Sequence, residues 1–148
     1  MKKVLFVSSS GGHWIQLRRL ESALGEYEKY FISTDKNHSA IVNNGTYYYI
    51  PDASRWNKGR LILQALKMLY LILRIRPHVV ISTGAAPGFF ALLWAKLLGS
   101  KTIWIDSIAN VDEMSLSGKK VRKYADLWLT QWKHLESDDG PKCFGKII

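Results

Sequence analysis

Five consecutive residues, Ser9-Ser10-Gly11-Gly12-His13, combine hydroxyls, two glycines and an imidazole. Glycines let a backbone approach a ligand closely. A helix opening at that point offers free N–H groups and the positive end of its dipole. The chemistry favoured there is contact with a phosphate or diphosphate; a plain tight turn explains the same residues. The spacing is neither Gly-x-Gly-x-x-Gly nor a Walker A loop. A neutral His13 can take a proton, and a protonated one can pair with an anion. The alternative is a structural hydrogen bond at a helix start.

A second small-residue stretch, Ser82-Thr83-Gly84-Ala85-Ala86-Pro87-Gly88, precedes an apolar segment. It reads either as a second anion site at a helix N-terminus, with Gly84, Ala85 and Gly88 contributing, or as tight strand–helix packing. Asp106 closes the apolar run Ile103-Trp104-Ile105, where a buried, unpaired carboxylate is costly. It reads as a base, as a binder of sugar hydroxyls, or as a turn cap. His13, His38, His78 and His134 are scattered, and Cys143 is the single cysteine. No cluster has metal-ligand spacing, so no protein-bound metal and no disulfide is expected.

Short β-rich runs alternating with amphipathic segments must position these loops. Strands are predicted at Val4–Val7, Lys29–Ser33, Thr46–Ile50, His78–Ser82, Lys101–Ile105 and Asp126–Gln131. Helices are predicted at His13–Leu24, Asn37–Asn44, Gly59–Arg76, Phe89–Leu98 and Lys119–Tyr124, with Thr83–Gly88 a turn. Such alternation predicts a Rossmann-like open parallel sheet with helices on both faces. Ligands of such sheets sit beyond the carboxyl ends of the strands. That places the loops at 8–13, 82–88 and 106–118 together.

The chain has 148 residues, 47% apolar and 22% charged, which suits a single globular domain over 1–148. Twenty-one Lys+Arg against twelve Asp+Glu leave a net charge of +9 and point to an anionic partner. Residues 60–76 are almost wholly apolar apart from a stripe of Arg60, Gln64, Lys67 and Arg74. One face of this helix must pack on the sheet. The remaining apolar width, with Trp56, Lys58, Arg60, Lys67 and Arg74 around it, suits docking on an anionic membrane surface. A helix sandwiched against another subunit is the alternative. No stretch reaches the ~18 apolar residues of a spanning helix. The basic run Lys119, Lys120, Arg122, Lys123 matches no nucleic-acid module, so no nucleic acid partner is expected.

Several segments together resemble the Alg14 family, including bacterial Alg14-like proteins of exopolysaccharide and capsule assembly. They are Ser9–His13, the loop Ser82–Gly88, Ile103–Ser107, Ser115-Leu116-Ser117-Gly118-Lys119, Ala125–Trp132 and Phe144-Gly145. The resemblance implies the N-terminal, acceptor-binding half of a GT-B glycosyltransferase. A separate Alg13-like chain would bind the UDP-sugar donor, so this chain would hold no cofactor of its own. The pair would transfer a sugar to a polyprenyl-diphosphate-linked glycan at the cytoplasmic face of the cell membrane. Ser9, Ser10, Gly11 and Gly12 would then contact the acceptor diphosphate, with His13 orienting it or acting as base. Asp106 stands where the family often has a glutamate. Its shorter side chain leaves catalysis, electrostatic support and hydroxyl recognition all open. The apolar helix at 60–76 and the open question of the base support a second reading, a non-catalytic membrane adaptor or enhancer of a partner enzyme. A stand-alone anion-binding or nucleic-acid-binding module is a third reading. Glu136–Ile148 is expected to complete the fold or to meet the partner.

Overall fold

Strand β1 (Lys3–Ser8) is apolar on both sides, and Val4 to Val7 are completely buried. A strand with no polar face belongs at the centre of a sheet covered twice. That is its position in the computed structural model, which describes residues 1–147. Six parallel strands lie in the order β3-β2-β1-β4-β5-β6. The others are β2 (Glu28–Ser33), β3 (Thr46–Tyr49), β4 (Val79–Gly84), β5 (Lys101–Ile105) and β6 (Leu127–Leu129). In register, Phe6 sits opposite Phe31 of β2 and Ile81 of β4.

Alternation along β1 sends its side chains to two cores. Leu5 and Val7 join Ile32, Val80 and Trp104 beneath helices α2 (Lys58–Ile75) and α3 (Ala85–Leu97). Val4 and Phe6 join Phe31, Ile81, Trp14 and Leu17 beneath helix α1 (Gly12–Arg19). Phe6 stacks on Phe31 with centroids 5.1 Å apart.

The expected Rossmann-like class is observed, with local differences. Helix α1 ends at Arg19 and continues as a 3-10 turn, Glu21–Leu24. The segment expected as a helix at 37–44 is a 3-10 helix, Lys36–Ile41, capped by the Asp35 carboxylate on the Asn37 N–H. Residues 119–124 divide between helix α4 (Leu116–Lys120) and a 3-10 turn. The turn expected at 83–88 is not a loop. β4 runs to Gly84 and α3 starts at Ala85. The reversal is carried by two positive φ values, 143° at Gly84 and 59° at Ala85, the second an unusual backbone for an alanine.

Helix α2 stops at Arg76 in the left-handed conformation, before Pro77. The polar stripe read along it is corrected in one place. Gln64 is 1% exposed and turns inward, donating to the Pro51 carbonyl at 3.0 Å. The C-terminal segment completes the fold at Lys142, which donates to the Trp128 carbonyl and accepts from the Thr130 N–H beside β6. Phe144 remains 77% exposed. Ile148, counted in the apolar C-terminus, lies outside the described residues.

Candidate functional site

The strand order 3-2-1-4-5-6 reverses between β1 and β4. The connections after these two strands diverge to opposite faces, α1 over one core and α3 over the other, and in sheets of this kind the carboxyl ends at such a reversal are where ligands bind. Ser9–Gly12 leaves β1 there, and Thr83–Ala85 leaves β4.

At this reversal α1 begins without a side-chain cap. Its N-cap is Gly11, at φ 80° and ψ −139°, a backbone that side-chain-bearing residues seldom adopt. Gly11 and Gly12 are exposed, and a Cβ at either would meet nothing within 4 Å. Ser9 and Ser10 are half-buried. The Ser10 N–H is already used by Thr34 Oγ1 at 3.0 Å, and the Ser9 N–H by the Gly84 carbonyl at 3.4 Å. The open donors therefore lie at Gly11–His13, in the first turn. Helix α3 also starts without a side-chain cap, at Gly84. Two helix N-termini without side-chain caps, each the positive end of a dipole, thus lie at the carboxyl ends of β1 and β4, the first exposed and the second largely buried.

His13 lies between them. Its Nδ1 is 3.0 Å from the Thr83 carbonyl oxygen, and Thr83 Oγ1 donates to the His13 carbonyl at 2.6 Å. Its Nε2 has no partner among the described residues. The imidazole occupies the space that a Cβ on Gly84 would take, 2.5 Å from Nδ1. Gly84 is therefore shaped for the imidazole and is itself buried, rather than exposed to an anion.

Gly88 is also corrected. It is buried, and a Cβ there would come within 1.9 Å of Ser82 Oγ and 3.2 Å of the Trp104 ring. It serves close strand–helix packing and presents nothing to a ligand. Gly88→Ala is expected to lower unfolding free energy by about 1–3 kcal/mol, as overpacking does. Urea denaturation checks this; an unchanged midpoint would show that the contact relaxes freely. Ala85 is half-buried in the strained turn between the two.

Asp106 is corrected as a catalytic candidate. It is 1% exposed. Oδ1 accepts from Trp104 Nε1 at 3.0 Å and Ser115 Oγ at 2.6 Å. Oδ2 accepts from the Ser115 N–H at 2.8 Å and Asn110 Nδ2 at 3.2 Å. A Cβ on Gly118 would fall 2.5 Å from Oδ1. With four donors spent on its two oxygens, the carboxylate ties the 107–115 loop down and shares no bond with His13.

Two residues missed in the sequence, Gln16 and Gln131, tie α1 to the elements on the β5–β6 side. Gln16, one turn beyond His13, accepts from the Ile108 N–H and from Gln131 Nε2, and donates to Ser107 Oγ. Gln131 Nε2 also donates to the Asp106 carbonyl, and its Oε1 accepts from the Ile147 N–H. This network joins α1, the loop after β5 and the C-terminal segment. A polar residue four positions after Gly12 was its only local signal. On the β2–β3 side of α1, His38 stacks on Trp14 at 4.2 Å, and burial pushes its imidazole below the ordinary histidine range.

On the opposite sheet face, α2 exposes Ile62, Leu63, Leu66, Tyr70 and Leu73, each at least half exposed. Lys58, Arg60, Lys67 and Arg74 are exposed on the same helix, and Trp56 precedes it at 81% exposure. No described helix is long and apolar enough to cross a membrane.

The family model for oligosaccharide biosynthesis proteins of the Alg14 type matches residues 57–147, well over half the chain. The chain belongs to the Alg14 family. It is 28% identical to the UDP-N-acetylglucosamine transferase subunit ALG14 of Mus musculus, over 99% of this chain and 83% of that one. It is 27% identical to the ALG14 subunit of Candida albicans, over 85% of this chain and 68% of that one. Among solved structures it resembles MurG of Acinetobacter baumannii, with a TM-score of 0.79 at 13% identity. That match takes in 97% of this chain but only 45% of the MurG chain. The fold is thus that of one half of a GT-B-type protein. The Alg14 match begins at the start of α2 and includes Thr83, Asp106 and Ser115. The loop carrying His13 is spanned by the mouse comparison.

Proposed function

We propose that this Alg14-family chain is the acceptor-binding subunit of a two-chain glycosyltransferase. The observation that carries the reading is the placement of two helix N-termini without side-chain caps and the His13 imidazole where the strand order reverses. The N–H groups of Gly11 to His13 suit the diphosphate of a polyprenyl-diphosphate-linked glycan. An Alg13-like partner holds the UDP-sugar across the cleft. His13 Nε2 takes the proton of the acceptor hydroxyl. That oxygen bonds to the anomeric carbon as the carbon–oxygen bond to UDP breaks, and UDP leaves with the electron pair. The relatives' description as transferase subunits and the half-length likeness to MurG both support a division of labour between chains. Exopolysaccharide or capsule assembly at the cytoplasmic membrane face is the setting proposed.

Purification from native membranes in mild detergent, followed by mass spectrometry of stoichiometric companions, tests this reading. A second small α/β chain is expected, and the recombined pair is expected to transfer sugar when neither chain does so alone. A partner fully active by itself would reduce this chain to an adaptor. No companion at all, from membrane or cytosol, would defeat the two-chain reading.

Docking on an anionic bilayer is proposed for the exposed face of α2, where apolar side chains lie within a basic rim. Leu66→Glu and Leu73→Glu are each expected to weaken flotation with anionic liposomes by roughly tenfold or more, from the lost apolar burial. A wild-type chain that stays in the soluble fraction at low salt, with and without its partner, would end the docking idea.

A further inference from the structure

The reciprocal contact between His13 and Thr83 settles a matter of proton position. A carbonyl oxygen has lone pairs and no hydrogen, so it can only accept. Nδ1 of His13, 3.0 Å from the Thr83 carbonyl, must therefore be the nitrogen that carries the proton. A neutral imidazole has a single N–H, which leaves the lone pair on Nε2. We infer that Thr83, together with Gly84, is the positioning element of the site: it holds His13 as the Nδ1–H tautomer, with Nε2 the basic nitrogen. The inference rests on the reading of His13 as the base.

Three observations make the hold specific. Thr83 is completely buried, so water does not compete for either of its bonds. Its hydroxyl donates back to the His13 carbonyl at 2.6 Å, which ties the first turn of α1 to the end of β4. Gly84 leaves room for the ring: an alanine there would place Cβ 2.5 Å from Nδ1 and 2.6 Å from Cε1. Gly84 also holds φ 143°, so the position accepts glycine on both counts. When Nε2 takes a proton, the Nδ1–H bond to Thr83 persists and strengthens, because the donor has become a cation. The ring need not reorient between its two states.

Long-range ¹H–¹⁵N spectra of the full chain, labelled at histidine and recorded at about pH 8.5, report the tautomer directly. The His13→Gln spectrum assigns the signal. The wild-type chain is expected to show the Nδ1–H pattern for His13. An Nε2–H pattern, or a rapidly averaged mixture, overturns the inference whatever the turnover does. Gly84→Ala is expected to abolish the Nδ1–H pattern and to lower kcat of the reconstituted pair by about 10²-fold, as a displaced base would. Thr83→Val is expected to shift the pattern toward a mixture and lower kcat with KM within twofold, and Thr83→Ser to restore both. Variants that lose turnover but keep the wild-type His13 pattern would overturn the positioning role. A His13→Gln pair with full turnover would instead overturn the base reading, leaving the measured tautomer as it stands.

Discussion

Replacing His13 with alanine is expected to lower kcat of the reconstituted pair by about 10²–10⁴-fold, the usual contribution of a positioned general base. The reason is geometric. Among the described residues His13 is the imidazole at the carboxyl ends of β1 and β4, and none of them claims its Nε2. Asp106, the other acid–base candidate, has both oxygens occupied and so cannot substitute. The variant is expected to remain folded. It gives up one hydrogen bond to the Thr83 carbonyl, about 1 kcal/mol, at a half-buried position on the first turn of α1. Circular dichroism and the urea midpoint check the fold, and initial rates over a range of acceptor concentrations separate kcat from KM. A loss confined to KM would make His13 a diphosphate contact rather than a base. Unchanged turnover would remove it from the mechanism.

Asp106→Ala is expected to cost about 3–5 kcal/mol, enough to consume much of the stability of a domain of this size. The carboxylate is 1% exposed and serves Trp104 Nε1, Asn110 Nδ2 and both the N–H and the hydroxyl of Ser115. Deletion orphans donors in a space that water does not reach freely, and each orphan costs about 1–3 kcal/mol. Relaxation of the loop keeps the total below the simple sum. Asp106→Asn preserves the volume but puts an amide N–H₂ against donors, so a smaller loss of about 1–3 kcal/mol is expected. Urea denaturation followed by far-UV circular dichroism measures both. A wild-type midpoint for Asp106→Ala would show that the 107–115 loop is held by something else. An Asp106→Asn chain of unaltered stability whose pair has lost turnover would return the carboxylate to the reaction.

Much of the architecture was legible because it depends on short-range pattern. Val4–Val7 and Val79–Ile81 read as buried strands since no polar residue interrupts them, and both lie at the centre of the sheet. Pro77 and Gly99 ended two helices as expected, through a missing N–H and a permitted positive φ. The reading failed where neighbours in space decide. Thr83–Gly88 is rich in turn-forming residues, yet β4 runs into it and α3 starts within it. The His13 ring and Ser82 Oγ fill the space beside those glycines. Gln64 shares a helical stripe with three basic residues, and only the approach of Pro51 turns it inward.

The residue pattern by itself determined an alternating α/β chain, a parallel sheet and the three loops at its carboxyl edge. These follow from local hydrophobic period and from the backbone limits of glycine and proline, which act within a few residues. Tertiary structure alone decided the hydrogen-bond partners of the chemistry-bearing residues. Asp106 at a strand end and His13 at a helix start both stood as possible bases. Partners 9 residues from one, Ser115, and 70 from the other, Thr83, separated them. Four donors make the carboxylate a structural anchor, whereas one carbonyl leaves the imidazole a free lone pair. Hydrogen bonding saturates over distances of about 3 Å, and no local pattern in the chain specifies which distant groups will come that close.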